Sequence, residues 1–240
     1  MSVRTSKQLL IAHDILAKIK SQQYPVGTYL PSESQLTQLY GVARETIRKA
    51  LQQLANLGII QPIKGKGSLI LDYTRYNLPL SGITSFQELN QIQDMHAQTR
   101  VLENHPGQIP TYFAQHGVNP QEEVIVLQRL RRINGQAIVL DQDYLLTSLV
   151  PQVPERAAQN SLYEYLEGQL GYEIAYATKE VTVETPTDRQ RELLQLAVQD
   201  TVVVVRSLTY LADATLIQLT ESYHRPQTFK FVDFARRTKI

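Results

Sequence analysis

The stretch Leu30-Pro31-Ser32-Glu33-Ser34-Gln35-Leu36-Thr37-Gln38-Leu39-Tyr40-Gly41-Val42-Ala43-Arg44-Glu45-Thr46-Ile47-Arg48-Lys49-Ala50-Leu51 reads as two short helices joined by a glycine turn. Ser32 stands at an N-cap, and Gln35, three residues on, completes a capping box for a helix whose apolar positions include Leu36 and Leu39. Gly41 is its stop, because the left-handed residue that ends many helices is cheapest as glycine. The next helix is expected from Arg44 to Asn56, with Ile47, Ala50, Leu51 and Leu54 at three- and four-residue spacing facing inward. Arg44, Glu45, Arg48, Lys49 and Gln52 are left outside. Two such helices, the second basic in its first turns, form a helix-turn-helix. In a major groove an Arg there can grip guanine with two hydrogen bonds, and Thr46 can meet a phosphate or a thymine methyl.

Working outward, Leu9, Ile11, Ala12, Ile15, Leu16 and Ile19 mark one broad face of a helix expected over 6–22, before Pro25 and Gly27 break the pattern. On the other side, Ile59-Ile60-Gln61-Pro62-Ile63 and Ser68-Leu69-Ile70-Leu71 flank Lys64-Gly65-Lys66-Gly67, a hairpin with two cations at its tip. Such a tip suits a phosphate backbone or a narrow minor groove. A hairpin after a helix-turn-helix is a winged helix.

Among the 240 residues, 42% are hydrophobic and 20% charged, and no apolar run approaches the ~20 residues of a membrane span. No membrane association is expected. Arg4, Lys7, Asp14, Lys18 and Lys20 interrupt the N-terminal apolar residues, which therefore do not read as a signal peptide, and no cysteine is present. A cytoplasmic protein is expected. The formal charge of +1 hides a division: residues 1–75 hold ten basic and four acidic residues, +6, and the remainder 14 basic and 19 acidic, −5. A basic module joined to an acidic one agrees with a nucleic-acid-binding head on a different body.

The expected domains are 1–72, a linker at 73–79, and 80–240. Strands are expected at 97–103, 123–133, 136–146, 175–184, 201–212 and 215–224, with Asn134-Gly135 making a tight hairpin. Helices are expected at 85–93, 110–113, 161–169 and 187–196. The mixture implies an α+β domain, an antiparallel sheet with helices packed on it.

Its chemistry is sparse. His96, His105, His116 and His224 lack metal-ligand spacing, and no nucleophile elbow, phosphate loop or dinucleotide fingerprint occurs. No catalytic residue, metal or cofactor is expected, so an enzyme is disfavoured. A small anion is better supported. Arg129 and Arg131, two apart on a strand, project to one face, and two guanidiniums repel unless an anion or carboxylate lies between them. Asp141 on the partner strand is the internal alternative. The helix starts Thr84-Ser85-Phe86 and Ser161-Leu162-Tyr163 offer further donors, or serve as plain N-caps.

The motifs Leu30-Pro31-Ser32-Glu33, Gly41-Val42-Ala43-Arg44-Glu45-Thr46-Ile47-Arg48-Lys49-Ala50-Leu51, Gly58-Ile59-Ile60 and Gly65-Lys66-Gly67-Ser68 resemble, in this order, the winged helix of GntR-type bacterial transcription regulators over about residues 8–72. The resemblance implies operator contacts from Arg44, Thr46 and Arg48 and a minor-groove position for Gly65. The expected DNA-binding set is Ser32, Glu33, Arg44, Glu45, Thr46, Arg48, Lys49, Lys64, Gly65, Lys66 and Gly67. Ala43 departs from the family's frequent Ser and removes one hydroxyl contact.

Leu127-Gln128-Arg129-Leu130-Arg131, Ile138-Val139-Leu140-Asp141, Ser161-Leu162-Tyr163-Glu164-Tyr165 and Glu221-Ser222-Tyr223-His224-Arg225 resemble the effector domain of the family's HutC branch, a chorismate-lyase-like fold. The segments 80–86, 140–144, 173–177 and 231–237 are similar to the subgroup that governs trehalose use. By resemblance, Thr84, Ser85, Phe86, Arg129, Arg131, Ser161 and Tyr163 belong to a sugar-phosphate site. Asp141 takes the place of an acidic sugar-hydroxyl ligand, and His224 that of a ligand-facing Tyr. Gln218 stands where many relatives have Glu, which disfavours an amino sugar. The implied protein is a homodimeric repressor on a palindromic operator in double-stranded DNA, released by trehalose 6-phosphate. The alternatives are another sugar phosphate, or an enzyme built on the C-terminal fold.

Overall fold

The computed structural model describes residues 7–71, 83–93 and 95–231. These fall into two compact units, one of residues 7–71 with Lys230 and Phe231 and one spanning Ile83–Phe229. The expected linker at 73–79 lies outside the described residues, as do 80–82 and 232–237 of the segments quoted above.

In the first unit, α1 (Lys7–Lys20), α2 (Glu33–Tyr40) and α3 (Arg44–Asn56) precede a two-stranded wing, β1 (Ile60–Ile63) and β2 (Gly67–Ile70). The buried stripe Ile11, Ala12, Ile15, Leu16 and Ile19 of α1 packs with Ile47, Ala50, Leu51 and Leu54 of α3. The capping box forms as expected: Gln35 N donates to Ser32 Oγ, and Ser32 N donates to Gln35 Oε1 at 2.8 Å. Gly41 ends α2 in the left-handed region, φ 61°. Of the two apolar positions of α2, Leu36 is fully buried while Leu39 is 57% exposed. Three residues advance about 300° around a helix, which leaves Leu39 on the flank of this two-turn element. In the wing, Gly65 and Gly67 have φ of 78° and 102°, a turn that L side chains resist.

The second unit is a six-stranded antiparallel sheet, ordered β3-β4-β5-β8-β7-β6. In chain order it comprises α4 (Phe86–Gln93), β3 (Gln98–Gln108), α5 (Thr111–Ala114), β4 (Glu123–Ile133), β5 (Gln136–Leu146), α6 (Glu155–Gln159), α7 (Leu162–Gly168), β6 (Ile174–Glu184), α8 (Asp188–Leu194), β7 (Val202–Leu211) and β8 (Leu216–His224). The β4–β5 turn has positive φ at both Asn134 (50°) and Gly135 (78°), as a type I′ hairpin requires.

Two elements depart from expectation. β3 runs five residues beyond Glu103, through Pro106 and Gly107, because an edge strand tolerates a proline that a central strand would not. Gly107 is needed there for space: a Cβ would lie 2.5 Å from Val126 Cγ2 across the ladder. α6 was not anticipated, since five residues are too few to display a helical period.

Ile125, Leu127 and Leu145 on one sheet face pack with Ala157 and Ala158 of α6 and Leu162, Tyr165 and Leu166 of α7. On the other face, Val124, Val126 and Tyr144 pack with Phe113 of α5, and Leu130, Leu140 and Val204 with Leu194 of α8. Helices on both faces explain why β4 is buried from Val124 to Arg131 without the alternation of a one-sided sheet.

Candidate functional site

The first unit presents a basic face on α3 and the wing. Ile47 and Leu51 anchor α3 inward, which leaves Arg44, Glu45, Arg48 and Lys49 exposed and Thr46 half-buried. Glu33 Oε2 accepts from Arg44 Nε at 2.7 Å, and Glu45 lies 3.9 Å from Arg48. Ser32 Oγ is occupied as the N-cap acceptor, with its O–H still able to donate. Lys64 and Lys66 are exposed beside Gly65 and Gly67 at the wing tip. Ala43, at the N-cap of α3, makes no side-chain cap bond.

In the second unit, Arg129 and Arg131 share the sheet face covered by α6 and α7, and both are buried. Each has its own carboxylate, reached diagonally across the β4–β5 ladder. Arg129 faces Asp141 in register, yet its Nη2 donates to Asp143 Oδ2 at 2.6 Å. Arg131 faces Val139, and its Nε donates to Asp141 Oδ2 at 2.6 Å. This corrects the expectation that Asp141 alone balances both cations. Asp143 is the partner the sequence reading missed, although the spacing of Asp141 and Asp143 repeats that of Arg129 and Arg131. The four charges sum to zero, so guanidinium repulsion by itself no longer demands an anion.

The remaining groups gather around these pairs. Arg131 Nη1 donates to Thr99 Oγ1 at 2.8 Å, and its guanidinium lies 4.1 Å from the centre of the Phe86 ring. Ser222 Oγ donates to Asp141 Oδ1 at 2.6 Å, while Gln218 Nε2 and Thr220 Oγ1 donate to Asp143 Oδ1 at 2.7 and 3.1 Å. Ser85 and Ser161 are both buried N-caps, accepting from Glu88 N and Glu164 N. Thr84 is half-buried at the start of α4. Tyr163 is hydrogen-bonded with Thr209 and close to Asp143 and Arg129, and burial pushes its phenol up to about 12.

Burial works against the Asp141 carboxylate, but Arg131, Arg129 and the Ser222 hydroxyl hold it below the usual range. Burial together with Arg129 lowers Arg131 to about 10, which leaves it charged at neutral pH. His224, buried with its ring 5.2 Å from that of Phe229, is pushed down to about 4 by burial and is neutral there. Two atoms of the cluster, Arg129 Nε and Gln218 Oε1, are buried without a hydrogen-bond partner among the described residues.

A second polar network escaped the sequence reading because its members are spread over five elements. Arg206 Nε donates to Glu221 at 2.8 Å and Nη2 to Glu184 at 3.1 Å, and the guanidinium lies 4.3 Å from the centre of the Tyr112 ring. Tyr144 O–H also donates to Glu221. A cavity of about 230 Å³ beside Arg206 is lined by Tyr112, Phe113, His116, Glu180 and Leu208. Among the described residues, no group of three or more His, Asp or Glu could hold a metal ion, and no helix is long and apolar enough to cross a membrane.

Residues 7–70 match the bacterial regulatory proteins of the gntR family, and residues 93–230 match the UTRA domain. The chain is 41% identical over 240 residues to the HTH-type transcriptional regulator TreR of Bacillus subtilis (strain 168), covering 99% of this chain and 100% of that protein. It is 26% identical over 229 residues to the mannosyl-D-glycerate transport/metabolism system repressor MngR of Escherichia coli (strain K12), covering 95% of each. The solved effector binding domain of the B. subtilis trehalose repressor is 40% identical, with a TM-score of 0.52 over 59% of this chain and 99% of that one. The regulator YydK of B. subtilis, at 23% identity, shares the fold with a TM-score of 0.73 over 97% of this chain and 100% of that one.

Proposed function

We propose a function that proceeds from the family: the chain belongs to the gntR family of bacterial regulatory proteins and, with its UTRA domain, is a transcriptional regulator of the HutC type. Such a regulator binds operator DNA with its winged helix and an effector with its UTRA domain. This chain is read as the cytoplasmic, homodimeric repressor of a trehalose-utilisation operon, released from a palindromic operator by trehalose 6-phosphate. The observation that carries this reading is the 41% identity with TreR along the whole of both chains.

The chemistry supports it at both ends. Exposed Arg44 and Arg48 suit base edges, and Lys64 and Lys66 suit phosphates beside a turn whose glycines allow close approach. In the sheet, each ion pair engages one guanidinium nitrogen, so both forks retain N–H donors for a phosphate. Ser85 and Ser161 place hydroxyls at helix starts, and Asp141 and Gln218 provide acceptors for sugar hydroxyls. The two-fold axis of a homodimer matches that of a palindrome.

A gel-shift titration on the operator tests the effector. Release is expected with trehalose 6-phosphate and not with trehalose. Equal release by both sugars refutes a phosphate role for Arg129 and Arg131.

A further inference from the structure

Arg129 and Gln218 are held by a single carboxylate. Asp143, 1% exposed, accepts from Arg129 Nη2 through Oδ2, and from Gln218 Nε2 and Thr220 Oγ1 through Oδ1. An ionised carboxylate can only accept, so the Gln218 amide must turn its NH2 toward Asp143 and its carbonyl oxygen away. That oxygen and Arg129 Nε, on the two side chains bonded to opposite oxygens of the same carboxylate, are the two atoms of the cluster left buried and unpartnered among the described residues. Buried polar groups are nearly always paired, so an orphan acceptor and an orphan donor on one anchor call for partners that the described residues do not supply.

We propose that Asp143 is a positioning residue of the effector site, fixing Gln218 as an acceptor and Arg129 Nε–H as a donor for hydroxyl groups of the bound sugar. The assignment rests on the sugar-phosphate reading above and goes beyond it by stating how specificity is set. With Glu at position 218, two carboxylates would crowd Arg129 and the site would favour a cationic substituent. With Gln held by Asp143, it offers a neutral acceptor whose direction cannot reverse, and a hydroxyl is the matching donor. Asp143 need not touch the ligand, because its effect passes through the two side chains it orients.

The positioning is tested without any ligand. In ¹⁵N spectra of the full chain, the Gln218 side-chain amide, identified by its loss in Gln218→Met, is expected to exchange slowly with solvent. In Asp143→Asn, where the new side chain can present either end, that protection is expected to vanish. Unchanged protection overturns the positioning role. Specificity is tested by calorimetry with trehalose 6-phosphate and its single-hydroxyl deoxyfluoro analogues, since fluorine cannot donate. One analogue is expected to bind the wild-type chain about tenfold more weakly or worse, and to show no such penalty in Gln218→Met. An equal penalty in both proteins overturns the acceptor role of Gln218, and this comparison stands even where Asp143→Asn does not fold. No binding of trehalose 6-phosphate to wild type overturns the sugar-phosphate reading and the hydroxyl assignment with it, while amide exchange still decides the role of Asp143.

Discussion

At the scale of single residues, the two ends of the chain use charge in opposite ways. Arg48 and Lys66 are exposed and differ in what they can reach, so their losses should differ in kind. Arg48→Ala is expected to weaken operator binding by about 1–3 kcal/mol and to relax base preference. Lys66→Ala should weaken all sequences alike and lower the salt slope by about one unit. Fluorescence anisotropy on operator and scrambled duplexes across a salt series separates the two. Arg129, Arg131, Asp141 and Asp143 are buried and mutually neutralised, where loss of one partner strands the other. His224 adds a pH dependence. In the folded chain it stays neutral down to about pH 4, with Asp141 the charge that partly offsets its burial, whereas the unfolded chain takes up the proton near 6.5. Between those values the unfolded state binds more protons, so stability rises with pH and is lost on acidification, by up to about 3 kcal/mol. Denaturant melts from pH 7 to 4.5 should show this slope, and His224→Gln should flatten it. An unchanged slope assigns the effect elsewhere.

Elements were legible where their pattern was long and their ends chemically marked. β4 and β5 begin and end where their apolar, β-rich runs and the Asn134-Gly135 turn place them, and α3 runs from Arg44 to Asn56 as its spacing implies. Short or irregular elements were not: α6 is too brief for a period, and β3 passes through residues that usually end a strand. The glycine in β3 offers a test. Gly107→Ala drives a methyl against Val126 on the neighbouring strand, where a β-branched side chain has little freedom to yield. The substitution is expected to cost about 1–3 kcal/mol. In a double-mutant cycle Val126→Ala should recover part of that loss, and simple additivity would show that the contact is not the cause.

For the whole molecule, the near-neutral total of +1 is an average over a basic head and an acidic body with different partners. Coupling between those partners is a free energy and therefore reciprocal. If trehalose 6-phosphate weakens operator affinity by some factor, saturating operator must weaken trehalose 6-phosphate binding by the same factor. Calorimetry with and without operator DNA measures it, and unequal factors rule out a simple linked equilibrium. By itself the sequence determined the winged helix, the antiparallel sheet and the shared face of Arg129 and Arg131, because helix and strand periods are local and survive in one dimension. It also carried the family through motifs whose order is preserved. Only the tertiary structure decided that Asp143 joins Asp141 to neutralise the two arginines, that Gln218 turns its oxygen away from that carboxylate, and that α6 and α7 close over the face. The reason is physical. A strand's alternation states which face a side chain takes, but a long guanidinium chooses among opposite and diagonal partners, and that choice depends on strand register, sheet twist and the helices that exclude water above it.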